Sequence, residues 1–243
     1  DGNAFGLKMD RLRAILDLID KYFPDCQMIN MDATVTSIRL KSDEELQELY
    51  DRKVRHLYLG IESGLDDVLK FMRKEHTQDQ AYKEIARIQK VGLIFDAHVM
   101  SGVAGKGRGQ ENAIALAEFL NKTQPDRIVN FSLFLHNQVA LYEDIKSGAF
   151  IPADEVENME EERTLIELLK EGPDGHQMLY DGFNDFLKLR VKGKVPKDAP
   201  RMIEKLTEAI EKYKDEPPIY AYVRGDCPDL SMCDGGRWLW EMD

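Results

Sequence analysis

Val54-Arg55-His56-Leu57-Tyr58-Leu59-Gly60-Ile61-Glu62-Ser63-Gly64 is the stretch on which the fold turns. Leu57, Leu59 and Ile61 alternate with His56, Tyr58 and Gly60, which is the period of a β-strand, and the apolar character stops at Glu62-Ser63-Gly64. A helix follows at once, with Leu65, Val68, Leu69 and Met72 on one side. In an α/β sheet, ligands gather at the carboxyl ends of the strands. Glu62 therefore stands where a carboxylate works on a ligand. A plainer reading, in which Glu62 or Ser63 caps the next helix, accounts for the same residues.

Working outward, the same rhythm recurs. Upstream, Leu12, Ile15, Leu16 and Ile19 mark a helix from Leu7 to Phe23 that ends at Pro24. Gln27 to Met31 is a short apolar run ending at Asp32, a second strand tip with a carboxylate. Ser42-x-x-Glu45 is a capping box, with Leu46 and Leu49 as the apolar face behind it. Downstream, Ala81, Ile85 and Ile88 predict a helix that stops at Gly92. Leu93 to Met100 is a strand ending in Ser101-Gly102-Val103-Ala104-Gly105, a helix carries Ile114, Leu116, Ala117 and Leu120, and Ile128 to Leu135 is a fourth strand ending at His136-Asn137. Units of roughly 30 residues that alternate strand and helix predict parallel βα units with right-handed crossovers. A closed eight-stranded barrel takes about 250 residues. The expected fold is therefore α/β, a partial, open TIM-like barrel over residues 1–150, followed by a helical C-terminal extension and tail over 151–243. In that extension the pattern predicts helices at 154–171, around Phe183–Leu189 and at Pro200–Tyr213, and the charged residues from Glu157 to Arg163 read as a solvated face.

Composition bounds the function. A net charge of −12 over 243 residues argues against a broad basic nucleic-acid surface, so nucleic acid is not the expected partner. Cys26, Cys227 and Cys233 are too few and too scattered for a disulfide framework, and no run approaches the roughly 20 apolar residues of a membrane span. The expectation is a cytoplasmic protein with a small-molecule substrate. The chain opens on a turn-like Asp1-Gly2-Asn3 without methionine, which reads as the middle of a motif and suggests a fragment.

The strand tips Asp32, Glu62-Ser63-Gly64 and Ser101-Gly102 fall on one rim, and Asp1-Gly2-Asn3 makes a fourth tip if an earlier strand precedes it. Two carboxylates, an Asn, a Ser and close-approach glycines suit a ligand with an ammonium group and ribose hydroxyls. In this order the motifs Asp1-Gly2-Asn3, Gly60-Ile61-Glu62-Ser63-Gly64 and Ser101-Gly102-Val103-Ala104-Gly105 resemble those of the radical S-adenosylmethionine (radical SAM) enzymes. The nearest branch holds the coproporphyrinogen dehydrogenase-like and Elp-like iron–sulfur oxidoreductases. The resemblance covers residues 1–150 and fades beyond. It implies that Asp1, Gly2 and Asn3 stand where the family holds the amino group of the methionine moiety, and that Asp32 stands where it contacts the ribose. It places Glu62 and Ser63 at the next tip, and Gly102 and Val103 at the turn against the adenine. Lys74 and Thr77 match a Lys-x-x-Thr recurrence of the same branch.

The resemblance also implies S-adenosylmethionine and a 4Fe–4S cluster as cofactors, and a flavodoxin- or ferredoxin-type reductant. The intact family cleaves S-adenosylmethionine reductively to a 5′-deoxyadenosyl radical, which abstracts hydrogen from a substrate the motifs do not name. One feature departs from the family: the Cys-x-x-x-Cys-x-x-Cys loop that ligates the cluster is missing from this sequence, as is the first strand. A fragment of a radical SAM oxidoreductase, inactive alone, is the first reading, with no catalytic residue assigned. A cluster-less binding or scaffold protein on the same fold is the second. An ordinary barrel enzyme using Asp32 and Glu62 as acid and base is the third, and the strand count opposes it.

Other signals carry less. Cys227 and Cys233 are too few for a cluster, and Cys26 is remote from them. The run Gly102 to Gly109 with Lys106 and Arg108 lacks the Gly-Lys-Ser/Thr ending of a phosphate loop. His56, His76, His98, His136 and His176 show no metal-ligand spacing, and no metal ligand is assigned. His98 reads as a satisfied core histidine, His136 as a rim residue, and Trp238 and Trp240 as packing groups.

Overall fold

The computed structural model describes residues 2–222. Asp1, Cys227, Cys233, Trp238 and Trp240 lie outside them. The first helix, α1 (Met9–Tyr22), buries Met9, Leu12 and Leu16 and leads to β1 (Ile29–Ala33). Two helices follow, α2 (Val35–Arg39) and α3 (Asp43–Asp51), then β2 (Val54–Glu62). The chain continues through α4 (Asp66–Phe71), α5 (Gln78–Lys90), β3 (Ile94–Ser101), α6 (Gly109–Thr123) and β4 (Arg127–Ser132). Helices α7 (Leu141–Lys146) and α8 (Glu155–Leu168) lead to β5 (Met178–Asn184) and β6 (Leu189–Val195), and α9 (Ala199–Tyr213) follows.

The local chemistry behind these boundaries is visible. At the start of α3, Ser42 Oγ accepts from the Glu45 amide at 3.2 Å and Glu45 Oε2 accepts from the Ser42 amide at 2.9 Å, the reciprocal box that the sequence predicts. Thr77 caps α5 in the same way with Gln80. After α5 the chain reverses at Gly92 with φ +90°, a conformation that costs a residue with a Cβ but not glycine.

The six strands form one sheet in sequence order, β1-β2-β3-β4-β5-β6. Pairings from β1 to β5 are all parallel, and β5 pairs with β6 antiparallel. Parallel strands laid side by side in sequence order require every crossover to return on the same face. Accordingly α5 packs on α2 and α6, α6 on α8, and α8 on α9, in one helical layer. Among the described residues the sheet is not closed, and this is the open TIM-like barrel that the sequence implies.

The alternation in β2 sets the two faces. Val54, Leu57, Leu59 and Ile61 have no exposure and point into the helix layer, while His56, Tyr58, Gly60 and Glu62 are half-buried on the opposite, open face. Each buried leucine contributes on the order of 2 kcal/mol by removal from water. Phe95, Ala97 and Val99 of β3 and Ile128 of β4 continue the same core, which extends to Tyr180, Val191, Val195, Met202, Leu206 and Ile210.

Two expectations for the C-terminal part are corrected. The segment Phe183–Leu189 is not a helix: it is the end of β5, a single 3-10 turn and the start of β6. The backbone turns there with Lys188 at φ +51°, and the following Val191, Gly193 and Val195 are buried while Arg190, Lys192 and Lys194 are exposed, a strict period of two. The charged helix α8 is not a solvated face either. Glu155, Asn158, Glu161 and Glu162 are 0–3% exposed because the helix is covered by α6, α9 and the sheet.

Candidate functional site at the strand tips

The rim is built in two layers. The lower layer is a polar network that ties the strand tips to α6 and α8. Ser63 is fully buried and its Oγ donates to Asn112 Oδ1 at 2.6 Å, where the Gly64 amide also donates at 3.2 Å. Asn112 Nδ2 donates to Glu161 Oε1 at 2.7 Å, and Glu161 Oε2 accepts the Gly102 amide at 2.9 Å. Gly64 lies flat against the α6 backbone, so a Cβ there would overlap Ala115 and Leu116. Gly102, at φ +80°, is covered in the same way by the side chain of Asn158.

A second branch of the network runs along β3, β4 and β5. Asn130 Nδ2 donates to Ser101 Oγ at 2.8 Å and to the Tyr180 hydroxyl at 3.0 Å. The Tyr180 hydroxyl donates to Glu162 Oε1 at 3.0 Å, and Asn184 Nδ2 donates to Glu162 Oε2 at 2.7 Å. Ser132 Oγ bridges Asn184 Oδ1 at 2.9 Å and Glu155 Oε2 at 3.2 Å. Burial pushes the carboxyls of Glu155, Glu161 and Glu162 up to about 7 each, against the opposing pull of these hydrogen bonds. Tyr180 is pushed well above its ordinary value by burial and by Glu162.

The upper layer is the open face. Asp32 is exposed there at the end of β1. Glu62, at the end of β2, is bound by Lys74 Nζ at 3.0 Å and stands at φ +62°, a left-handed backbone unusual for a residue with a Cβ. Such a position costs of order 1 kcal/mol and is held by its surroundings, here the Lys74 pair and a register shift between Gly60 and Glu62. Lys74 and Thr77 thus have separate duties, one holding Glu62 and the other capping α5.

A row of rings crosses the same face, with Tyr58 level with Asp32 on the neighbouring strand. Tyr58 stacks on His56 at 6.5 Å and on His98 at 5.7 Å, His98 meets Phe131 edge-on at 6.1 Å, and Phe131 stacks on Phe183 at 5.6 Å. The Arg190 guanidinium caps the row 4.5 Å above Phe183. His98 is therefore a half-buried member of a ring stack on the open face. At the flank of the rim a cleft of about 360 Å³ is walled by Phe71, Val103, Lys106, Arg108 and Phe150. Arg108 is held across it by Asp67 at 2.8 Å and by Glu111 at 2.9 Å.

The structure thus brings Asp32 and Glu62 to one open face, puts Val103 in the wall of the flanking cleft, and engages Ser63, Gly64 and Gly102 in contacts with α6 and α8. Gly2 and Asn3 are exposed ahead of α1, where Asn3 Nδ2 donates to Thr34 Oγ1 at 3.3 Å, beside the tip of β1. The glutamates of α8 and the ring row were missed by sequence reasoning. The signal for the first was a matching set of small polar residues at the strand ends, Ser101, Asn130, Ser132 and Asn184. The signal for the second was an aromatic or histidine on the same face of β2, β3, β4 and β5.

The open half-barrel with its polar rim is similar in fold to two solved structures. The archaeal Methanocaldococcus infernus Elp3 with an N-terminal deletion is similar at a TM-score of 0.62 and 16% identity, over 88% of this chain and 53% of that one. The methylornithine synthase PylB is similar at a TM-score of 0.50 and 12% identity, over 85% of this chain and 63% of that one. In sequence, the chain is 32% identical over 101 residues to the tRNA-2-methylthio-N(6)-dimethylallyladenosine synthase of Acinetobacter baumannii (strain AYE), which is 40% of this chain and 20% of that protein. It is 24% identical over 120 residues to the tRNA uridine(34) acetyltransferase of Methanocaldococcus infernus, 49% of this chain and 22% of that protein. The chain thus spans about a fifth of the length of the curated relatives it matches. No family model matches it. No described helix is long and apolar enough to cross a membrane.

Proposed function

We propose that this chain is the S-adenosylmethionine-facing half-barrel of a radical SAM oxidoreductase, with Asp32 and Glu62 taking the polar groups of that ligand. The observation that supports the reading is the placement of these two carboxylates on the open face of adjacent parallel strands, at their carboxyl ends. A carboxylate accepts hydrogen bonds from an ammonium group or from ribose hydroxyls. Lys74 orients Glu62, and the rings of Tyr58 and His98 offer a flat apolar floor beneath it.

The cluster is a different matter. It needs three thiolates together. The three cysteines of this sequence are Cys26, Cys227 and Cys233, and Cys26 stands ahead of β1 with its thiol on the Met28 carbonyl. The residues present do not fit a 4Fe–4S cluster, and in this reading the cluster is carried by residues outside this sequence. The activity that follows is reductive cleavage of S-adenosylmethionine with hydrogen abstraction from a small-molecule substrate, drawing electrons from a flavodoxin- or ferredoxin-type donor. The net charge of −12 supports a small molecule over RNA.

The test uses the full coding sequence that contains this chain, expressed and reconstituted anaerobically with iron and sulfide, with dithionite as reductant. The expected result is release of 5′-deoxyadenosine, falling at least tenfold in Glu62→Gln while the fold is kept. Unchanged 5′-deoxyadenosine in that variant removes Glu62 from the site. No 5′-deoxyadenosine from the unaltered protein favours the non-catalytic binding protein instead. A yield that rises only when bulk tRNA is added overturns the small-molecule substrate.

A further inference from the structure

We propose that His56, Asp96 and Asp126 form a site for a divalent first-row cation at the amino ends of β2, β3 and β4. One donor atom from each of the three residues lies within 4.8 Å of the other two. They come from three successive segments of the sheet: His56 is on β2, Asp96 on β3, and Asp126 immediately precedes β4. The backbone at Asp126 is fixed on both sides, since its amide donates to the Phe95 carbonyl at 2.9 Å and its carbonyl accepts from the Leu179 amide at 2.9 Å. The frame that would carry the ligands is thus rigid, and only the exposed Asp126 side chain needs to move.

The observation that points to a ligand is Asp96. Its side chain is 1% exposed, Oδ2 is 2.6 Å from His56 Nδ1, and the buried Oδ1 has no hydrogen-bond partner among the described residues. A buried carboxylate oxygen without a partner costs roughly 1–3 kcal/mol. A cation shared with Asp126 and the imidazole removes that cost. Ligand atoms around a cation at about 2.1 Å lie roughly 3–4 Å apart, so on binding the His56–Asp96 hydrogen bond at 2.6 Å opens and the Asp126 carboxylate moves to complete the set. Two carboxylates and one imidazole are a donor set for Mn²⁺ or Zn²⁺. The groups facing Asp96 also include Arg127, the next residue of the chain after Asp126 and its cross-strand neighbour. That guanidinium opposes a cation, which gives the proposal a second handle.

The site is distinct from the Glu62 tip. His56 and Glu62 lie six residues apart on one strand, which is about 20 Å at the rise of a β-strand, while Asp32 is level with Tyr58, two residues on from His56. The inference therefore does not rest on the radical SAM reading. A cation here clips the starts of three strands together and fixes the ring of His56, the first member of the ring row.

The experiment titrates the full chain with Mn²⁺ as the only added metal, reading free Mn²⁺ by its paramagnetic resonance signal, with thermal unfolding in the same buffer. Mn²⁺ is chosen because thiolates compete poorly for it. The expected result is one Mn²⁺ per chain and a raised unfolding temperature. Asp126→Ala, at an exposed position, weakens binding at least tenfold without changing the metal-free melt. His56→Ala weakens it likewise, and Arg127→Gln tightens it severalfold. The proposal is overturned by the lack of saturable binding below millimolar Mn²⁺, or by binding that Asp126→Ala and His56→Ala both leave within twofold.

Discussion

Replacing Glu162 by Gln should flatten the pH dependence of stability, and the size of the effect follows from where the carboxyl sits. Glu162 is 1% exposed on α8, between the Tyr180 hydroxyl and the Asn184 amide. Burial outweighs both hydrogen bonds and pushes its pKa from 4.5 up to about 7. Between those two values the folded protein keeps a proton that the unfolded chain has lost. Stability therefore falls as pH rises from about 4.5 towards 7, and the full loss is present above it. Each pKa unit is worth about 1.4 kcal/mol, so one such group accounts for roughly 3 kcal/mol. Glu155 and Glu161 are raised to about 7 by the same cause, so the wild-type slope should be steeper than one group gives. His76, pushed down to about 4 by burial, slopes the other way, but it is common to both proteins and cancels in the difference. Gln at 162 keeps the shape and offers the same hydrogen as the protonated acid, without the titration. Urea unfolding at pH 5, 6, 7 and 8 measures both proteins, with the m-value checking that each unfolds as one unit. The variant should lose about 2.5 kcal/mol less than the wild type between pH 5 and 8. A variant that declines as steeply as the wild type, or a wild type that gains stability over this range, refutes the reasoning.

The remaining predictions rest on packing and capping. Gly64→Ala places a methyl group in the α6 backbone and should cost about 3 kcal/mol or more in urea unfolding. Gly182→Ala should cost a similar amount, because Glu162 and the Tyr180 ring already fill the space beside it, and the double variant with Glu162→Ala should recover part of the loss. Ser42→Ala removes the cap of α3 and should cost about 1 kcal/mol, read as a shift in the urea midpoint at constant m-value.

Much of the fold was legible because it rests on apolar period. The alternation Leu57, Leu59, Ile61 gave β2 and both of its faces, and the capping box at Ser42 gave the start of α3 to the residue. The hairpin of β5 and β6 was missed although Arg190, Lys192 and Lys194 alternate cleanly with Val191, Gly193 and Val195. The preceding 3-10 turn, Asp185–Leu187, borrows helical spacing and masked the change of period. Helix α8 was misread for a deeper reason. Its inward stripe, Glu155, Asn158, Glu162 with Met159, Leu165 and Ile166, has helical spacing but is half polar, and a rule that equates charge with solvent turns it outward. Its partners, Tyr180 and Asn184, are 18 and 22 residues away from Glu162 in sequence, and only the folded sheet brings them beneath it. The same limit applied to the candidate site. Asp32 and Glu62 were found as strand-end carboxylates, but the ring row needed the register of four strands, which no single segment encodes.

The order of the strands has a consequence for how the chain assembles. Because spatial order repeats sequence order, each new strand needs only the one made before it. A chain leaving the ribosome can lay β2 on β1 and β3 on β2 as each βα unit emerges, without waiting for a distant partner. The hairpin of β5 and β6 then finishes the far side with a reversed strand whose exposed residues on the open face, Arg190, Lys192 and Lys194, are all cationic. Charged side chains on an edge strand discourage another chain from docking there. Of the two edges of the described sheet, the β1 edge is the one that presents a parallel-paired strand.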